Sequence, residues 1–181
     1  RANQVIHQHL FEIERLILKS TQLDQMAKQL GEAITLRFKI PYASLYLVDD
    51  ADHFMEHKLE ERFSKKLEGL LTFTDRITIN TWFKGGLKPV LTSEIKTGSK
   101  VFGKELKNIQ SECIIPIINR GDICGAIALG ATKPRHFHNG LQTEYLERMA
   151  DRLAIAIDNI LLIDRLQIEN SNIAKDKRIS A

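Results

Sequence analysis

The sequence predicts an α+β domain in which an antiparallel sheet is enclosed by helices. Strand-like segments are gathered in the middle of the chain, between helical segments at both ends, which is the element order of an α+β protein. A hairpin over residues 114–130 is apolar on both faces, and the terminal helices carry apolar stripes. A sheet with one wet face alternates apolar and polar residues, so we expect both faces of this sheet to be covered.

Apolar spacing predicts two helices at the start of the chain. Residues 2–19 carry a stripe with spacings of four, three and four, close to the seam of a coiled coil. This stripe consists of Ile6, Leu10, Ile13 and Ile17. Ser20 and Thr21 are capping residues for a second helix, whose apolar face consists of Leu23, Met26, Ala27, Leu30 and Ile34. Pro41 stops a helix, and YASLYLV over residues 42–48 has the composition of a strand.

The middle of the chain is predicted to alternate short elements. Leu59, Phe63 and Leu67 recur at intervals of four, which indicates an amphipathic helix. LLTFT alternates as a strand does, and PVLTSEI indicates a further strand. TINTWFKGG indicates one short helical turn that ends at Gly85 and Gly86. KTGSKVFGKELKN is predicted to be a lysine-rich loop or a short helix.

The apolar hairpin is predicted to turn at residues 119–122, because NRGD has the composition of a tight turn. This turn pairs Ile118 with Ile123, which also pairs residue 116 with 125 and 114 with 127. One face then carries Ile114, Pro116, Ile118, Ile123, Ile127 and Leu129. The other face carries Cys113, Ile115, Ile117, Cys124, Ala126 and Ala128. The smaller residues of the second face leave room for a helix or a bound molecule.

The last helix is predicted to span residues 139 to about 170. Its main stripe consists of Leu146, Met149, Leu153, Ile157 and Ile160. Within it, LAIAIDNILLI is apolar nearly all round, which requires more than one burial partner. We therefore predict a homodimer through the terminal helices, with an interface of Ile6, Leu10, Ile13, Ile17, Ile157, Ile160 and Leu161. The alternative is that the two terminal helices pair within one chain.

Composition excludes several classes of protein. The chain is 43% hydrophobic and 27% charged, as in a folded globular domain. A net charge of +3 is too small to indicate nucleic-acid binding, and no apolar run approaches a membrane span. We see no signal-peptide pattern, and two cysteines favour a reducing, cytoplasmic location. Because the chain begins at Arg1, we expect it to be a fragment of a longer protein.

The second half of the chain resembles the GAF domain. The resemblance covers residues 88–162, through KPVLTSEI, SECIIPIINRGDICGAIALG and the last helix, and extends to residues 20–50. The matching residues are Ser111, Pro116, Gly125, Phe137 and Asn159. HFHNGLQTEYLERMADRLA is closer still to a bacterial GAF-like family that is catalogued as a domain of unknown function. The resemblance implies a PAS-related antiparallel sheet of about six strands, with helices on one face and a loop-roofed ligand cavity on the other.

GAF-like proteins are commonly sensory or dimerisation modules and mostly not enzymes. We therefore predict three parts: residues 1–19 as a signalling or dimerisation helix, residues 20–162 as the GAF-like domain, and residues 163–181 as a helical extension. The resemblance implies a cavity for an unidentified small molecule, and the aromatic residues are candidates to stack on a heterocycle. The candidate lining is Tyr46, Trp82, Phe83, Ser93, Phe102, Ser111, Lys100 and Lys104.

Lysines beside this predicted cavity suggest a phosphate ligand. Lys96, Lys100, Lys104 and Lys107 lie near two glycines, and such a loop can neutralise and hold a phosphate. A solvated basic loop explains the same composition. The residues that cyclic-nucleotide-binding GAF domains share, and a cysteine for a bilin, are not recognisable. No cofactor is identified.

Cysteine and histidine are the remaining candidates for chemistry. Some GAF-like proteins are thiol reductases for free methionine sulfoxide, but Cys113 and Cys124 fall inside strands, where buried cysteine behaves as a small hydrophobe. The six histidines form three pairs without a third ligand at metal-site spacing. We therefore predict a non-enzymatic regulatory module with an attached output domain. A thiol reductase using the two cysteines and a purely structural dimerisation domain are the alternatives.

Overall fold

The computed structural model describes residues 2–49, 70–103 and 108–180, with side chains from residue 4. Within these ranges the chain forms four helices and five strands. The helices are α1 (Ala2–Lys19), α2 (Leu23–Phe38), α3 (Arg76–Trp82) and α4 (Glu144–Ile179). The strands are β1 (Tyr42–Val48), β2 (Leu71–Thr74), β3 (Val90–Thr92), β4 (Ser111–Asn119) and β5 (Asp122–Ala131).

The five strands form one sheet in the order β2-β1-β5-β4-β3. All neighbouring pairs are antiparallel except β1 and β2, which run parallel. That pair departs from the predicted antiparallel sheet. A parallel pair needs a connection of a dozen or more residues, and the segment between β1 and β2, residues 49–70, is long enough to return the chain to the same end of the sheet.

β1 and the end of α2 lie where the sequence predicts them, whereas α3 and α4 differ from their predicted bounds. Gln22 precedes α2 without a side-chain capping hydrogen bond, so the predicted cap from Ser20 or Thr21 is wrong. β1 spans the predicted residues, and α2 ends before Pro41 with Lys39 in a left-handed conformation at φ 55°. α3 is longer than the predicted single turn, because Asp75 caps it by accepting a hydrogen bond from the Thr78 amide at 2.8 Å. α4 begins at Glu144 rather than residue 139, after a turn in which the Leu141 amide bonds to the His138 oxygen. The helix predicted around Phe63 lies outside the described residues.

The β4–β5 hairpin turns where predicted but changes register after the turn. Asn119 pairs with Asp122 and Ile118 with Ile123, and the turn residues Arg120 and Gly121 both have positive φ. A bulge between Ile117 and Ile118 then shifts the pairing by one residue. The pairs are therefore Pro116 with Ala126, Ile114 with Ala128 and Cys113 with Leu129. A one-residue shift moves every later side chain of one strand to the other face, so the predicted pairings beyond the bulge are wrong.

Both faces of the sheet are covered, as predicted. α1, α2 and α4 cover one face, which we call the helix side; it carries Cys113, Ile115, Ile117, Ile127 and Leu129. The opposite face, the roof side, carries Ile114, Ala126, Ala128, Tyr46 and Val48, packed against α3 and residues 101–102. Ile115, Ile117 and Ala126 are each 0% exposed.

The terminal helices bury most of the predicted dimer interface within the chain itself. Leu10, Ile13 and Ile17 of α1 and Ile157 and Ile160 of α4 all lie in the core, at 7% exposure or less. These side chains cannot contact a second copy, so their assignment to an interface is corrected. The α1 side chains pack against α2 and α4, and α4 packs against β4, so both stripes are buried within the chain. Ile6 is 37% exposed, and Leu161 is half-buried.

Candidate functional site

The roof side gathers the four aromatic residues predicted to line a ligand cavity. Tyr46 lies on β1, and its ring meets that of Trp82 edge-on, with centroids 5.0 Å apart. Phe83 is buried at the end of α3, and Phe102 packs against the same cluster. A fifth ring, Tyr42, lies 6.3 Å from Phe102. Among the described residues these side chains fill the roof side, and the predicted cavity stays a prediction because residues 50–69 and 104–107 lie outside that part.

A buried polar group lies in the middle of this apolar surface. Glu112 of β4 is only 3% exposed, and its carboxylate accepts a hydrogen bond of 2.5 Å from the Ser99 hydroxyl. Tyr46 donates its hydroxyl to the Val101 backbone oxygen at 2.6 Å. Burial raises the pKa of Tyr46, a side-chain hydrogen bond with Ser44 opposes the rise, and the nearby Glu112 charge adds to it. Tyr46 and Glu112 both lie on the sheet, and both therefore bind the segment that follows Ile95.

Glu112 changes the chemistry expected of a ligand on this face. A buried carboxylate repels an anion and favours a cation or a hydrogen-bond donor. The lysines proposed to hold a phosphate do not offset it, because Lys96 and Lys100 are exposed and Lys104 lies outside the described residues. The geometry therefore favours an aromatic or basic ligand over a phosphate.

Ser111 and Ser93, which were also predicted to line the cavity, make hydrogen bonds to the loop after β5. Ser111 is fully buried, but its hydroxyl donates to the Lys133 oxygen at 2.7 Å and accepts from the Phe137 amide on the helix side. Ser111 therefore holds the loop after β5 and does not line the roof side. Ser93 follows β3, and its backbone oxygen accepts a hydrogen bond from the Arg135 amide at 2.8 Å.

Sequence reasoning missed Glu112, although a signal was present. In SECIIPII it is the one charged residue of a strand whose burial was predicted from both faces. A charge at such a position must be paired or hydrogen-bonded, and the nearby serines are natural donors.

The two cysteines lie on the side of the sheet away from these groups. Cys113 is 0% exposed, and burial raises its pKa to about 12. Cys124 is half-buried with its thiol directed at the Ile117 oxygen at 3.4 Å, and burial raises its pKa to about 11. Catalytic cysteines have lowered pKa values in electropositive, accessible surroundings. Both cysteines have the opposite properties, those of structural core residues.

The outer surface of the helices carries exposed apolar side chains. On α4 they recur at spacings of seven, four and seven, and we call this set the α4 stripe: Ile155, Leu162, Leu166 and Ile173, which are 49%, 58%, 49% and 53% exposed. On α1, Phe11 and Leu18 are 64% and 60% exposed. A groove of about 400 Å³ between these helices is lined by Phe11, Tyr145 and Arg148 among others. It is flanked by an ion pair of 2.8 Å between Glu14 and Arg148.

Metal and membrane sites are not found in the described part of the chain. Within it, no three histidine, cysteine or carboxylate side chains are grouped to hold a metal ion. His7 instead contacts the Tyr145 hydroxyl at 3.0 Å, and His53 and His57 lie outside the described residues. No described helix is both long and apolar enough to span a bilayer.

Comparison with known proteins places the chain in a family. Residues 1–160 match the family described as protein of unknown function, DUF484. The chain belongs to the DUF484 family. No curated protein matches it. The family match covers the GAF-like region predicted from the sequence, and it includes α1, which the resemblance to GAF domains did not reach.

Solved structures similar to this DUF484 domain are GAF domains and related proteins. The GAF domain of a phosphoenolpyruvate-protein phosphotransferase from Coxiella burnetii has a TM-score of 0.62 at 16% identity, covering 90% of this chain and 98% of that one. The GAF domain of a putative sensor histidine kinase from Pseudomonas syringae pv. tomato has a TM-score of 0.57 at 13% identity, with coverages of 91% and 95%. Free methionine-R-sulfoxide reductase from Neisseria meningitidis, in complex with its substrate, has a TM-score of 0.59 at 15% identity, with coverages of 85% and 89%. The DUF484 domain therefore has the GAF fold.

Proposed function

We propose that this DUF484 domain is a non-enzymatic regulatory module that forms a homodimer through its terminal helices. A small molecule bound on the roof side shifts the packing of those helices and so controls an attached output domain. The module acts in the cytoplasm. The observation that carries the proposal is the α4 stripe, an apolar surface on a helix that continues well past the core.

The length of α4 supports a second copy as its partner. Ile160 is the last buried residue of the helix, and residues 161–179 extend about 28 Å beyond it at about 1.5 Å per residue. In proteins most of the stability of a helix comes from packing of its apolar face, and the α4 stripe is exposed in the single chain. The spacing of seven, four and seven in the α4 stripe is that of a coiled-coil seam. Pairing of two α4 helices covers the stripe on both copies at once.

Asn159 supports a defined arrangement of the two helices. It follows Ile155 by four residues and precedes Leu162 by three, so it occupies a seam position, and it is exposed in the single chain. A polar residue at one seam position fixes the register of a coiled coil at some loss of stability. In a parallel dimer Asn159 faces its own copy, and both α4 ends leave in the same direction toward the output domains.

The groove between α1 and α4 continues this surface. Phe11 lines it from α1, and Leu18 lies two helical turns further along the same side of that helix. An exposed apolar patch beside the seam extends the area that a second copy covers.

Analytical ultracentrifugation over a range of concentrations tests the dimer. A concentration-dependent dimer is expected, and a monomer at millimolar concentration contradicts the proposal. Native mass spectrometry of the purified domain tests the ligand, because it reports the subunit number and any retained small molecule together. A dimer without a retained molecule favours the third candidate, a structural dimerisation domain, which the side chains filling the roof side support.

The alternative enzymatic function is a thiol reductase acting on free methionine sulfoxide. The fold likeness to the Neisseria meningitidis reductase supports it. The raised pKa values of Cys113 and Cys124, and their position on the helix side, argue against it. A reductase assay on the wild-type domain and on a Cys113→Ser, Cys124→Ser variant separates the two. Activity that the substitutions abolish contradicts the regulatory proposal.

A further inference from the structure

A short segment crosses the roof side and is held there by two residues of the sheet. We call Ser99–Gly103 the strap. Its ends form an antiparallel bridge, with Gly103 at φ +78°. The Tyr46 hydroxyl of β1 donates to the Val101 oxygen at 2.6 Å, and the Glu112 carboxylate of β4 accepts from the Ser99 hydroxyl at 2.5 Å. The strap is therefore fixed to two different strands by polar contacts.

Ser99 also organises the strap internally. Its hydroxyl oxygen accepts hydrogen bonds from the backbone amides of Val101 at 3.1 Å and Phe102 at 2.9 Å. The same hydroxyl donates its proton to Glu112. One side chain thus links the fold of the strap to the charge buried below it. Loss of the Glu112 contact frees this hydroxyl and loosens the turn that it caps.

Phe102 lies directly on the backbone of the sheet. A Cβ atom built on Gly130 would be 3.1 Å from Cε2 of Phe102 and 3.0 Å from Cδ1 of Ile109. The ring therefore occupies space that exists because β5 has no side chain at this position. On the neighbouring strand Tyr42 approaches the same ring. The result is a flat slot, floored by Gly130 and closed by a ring that belongs to the strap.

We propose that the strap is a displaceable lid, and that Phe102 occupies the slot that an aromatic ligand takes when the strap opens. This rests on the proposed function of the roof side as a small-molecule site. Glu112, released from Ser99, then faces a hydrogen-bond donor or a cationic group of the ligand. The ligand class is therefore a planar ring that carries an amine or amidine rather than an acid.

Opening is easier for the strap than for the rest of the roof side because this short segment buries little apolar surface, although two hydrogen bonds hold it to the sheet. Val101 is its one deeply buried apolar side chain, Phe102 is half-buried and Lys100 is exposed. Neighbouring parts of the roof side belong to α3 and to central strands, which are anchored over longer spans. Segments with few buried apolar contacts open locally, well before global unfolding.

Hydrogen exchange of the Val101 and Phe102 amides tests the lid. In the wild-type domain these amides are expected to exchange faster than those of β4 and β5. Tyr46→Phe removes one hydrogen bond to the strap without changing the ring, and is expected to accelerate their exchange about tenfold. Tyr145→Phe is the matched control, because it removes a hydroxyl contact on the helix side and leaves the strap amides unchanged. Exchange of the strap at the rate of β4, or no response to Tyr46→Phe, overturns the proposal.

Filling the slot with a probe tests the role of Phe102. Phe102→Ala is expected to bind benzamidine saturably in calorimetry, at least tenfold more tightly than the wild type, and to prefer it to benzoate. Adding Glu112→Gln is expected to remove that preference. Equal affinity of wild type and variant for benzamidine, or a preference for benzoate, contradicts the assignment. Because hydrogen exchange needs no ligand, an immobile strap is distinguishable from a domain that has no ligand at all.

Discussion

Replacing Leu166 with alanine tests whether the α4 stripe is an interface between two copies. Leu166 is 49% exposed in the single chain, so that about half of its surface remains to be covered. Full burial of a leucine side chain is worth about 2 kcal/mol, and the remaining half contributes about 1 kcal/mol. Because the seam contains this side chain twice, the substitution costs about 2 kcal/mol per dimer, and the dissociation constant rises about 30-fold. Adding Leu162→Ala doubles the loss of dimerisation free energy.

Sedimentation equilibrium at several concentrations measures these dissociation constants directly. Leu36→Ala is the matched control, because Leu36 lies on α2 and is 78% exposed, so it loses the same atoms away from the stripe. Neither substitution changes the core, and circular dichroism is expected to show wild-type helicity for the control. A dissociation constant for Leu166→Ala within threefold of the wild type refutes the reasoning, as does an equal effect of Leu36→Ala.

Three further predictions concern the core and the cysteines. Mass spectrometry can follow the alkylation of Cys113 and Cys124 by iodoacetamide at pH 8. In the folded domain we expect this reaction to be at least about 100-fold slower than in the urea-unfolded chain, because the raised pKa values suppress the thiolate. Equal rates contradict the burial of the two thiols. Since both pKa values are higher in the folded state than the usual 9.0, the unfolded chain loses these protons first, and the free energy of unfolding falls as pH rises above about 9, by up to about 1.4 kcal/mol per pH unit per cysteine. Urea titrations at pH 8 and 10.5 on the wild type and on a Cys113→Ala, Cys124→Ala variant measure that slope, which the variant should reduce. Gly125→Ala would place a Cβ atom 2.5 Å from the Tyr46 backbone oxygen, and it is expected to destabilise the domain by about 3 kcal/mol. A change below about 1 kcal/mol in urea unfolding would show that β1 and β5 separate easily.

The sequence was sufficient to predict the fold but not which face each hairpin residue occupies. The tight turn was correctly predicted from its composition, because Arg120 and Gly121 supply the two positive φ angles that the turn requires. No sequence pattern indicated the bulge beside Ile117. Register is strongly specified when one face is polar, and here both faces are apolar, so either assignment satisfied the pattern. Only the structure assigns Ala126 and Ala128 to the roof side.

For a related reason, the sequence did not distinguish a buried apolar stripe from an interface with a second copy. A stripe such as Ile13 and Ile17 has the same spacing whether it packs on helices of its own chain or on a second copy, and only burial distinguishes the two. Ile155 and Leu162 of the α4 stripe lie in the same apolar segment as the predicted Ile157 and Ile160, and Leu166 and Ile173 lie beyond that segment. On the roof side, the four aromatic residues predicted to line a cavity do lie close together, and their contact with a ligand stays a prediction. A single carboxylate such as Glu112 forms no spacing pattern, and its partner Ser99 lies 13 residues away in the sequence.

β4 offers a direct route for coupling between the two proposed surfaces. Alternate residues of this strand face opposite sides, so that Glu112 contacts the strap while Cys113 and Ile115 lie in the core against α4. A ligand that draws Glu112 away from Ser99 moves the same backbone on which α4 packs. Such a movement changes the dimer only if the ligand binds one helix arrangement more tightly than the other. By linkage, dimerisation must then change ligand affinity by the same factor, so a ligand whose affinity is equal in monomer and dimer is bound but not sensed.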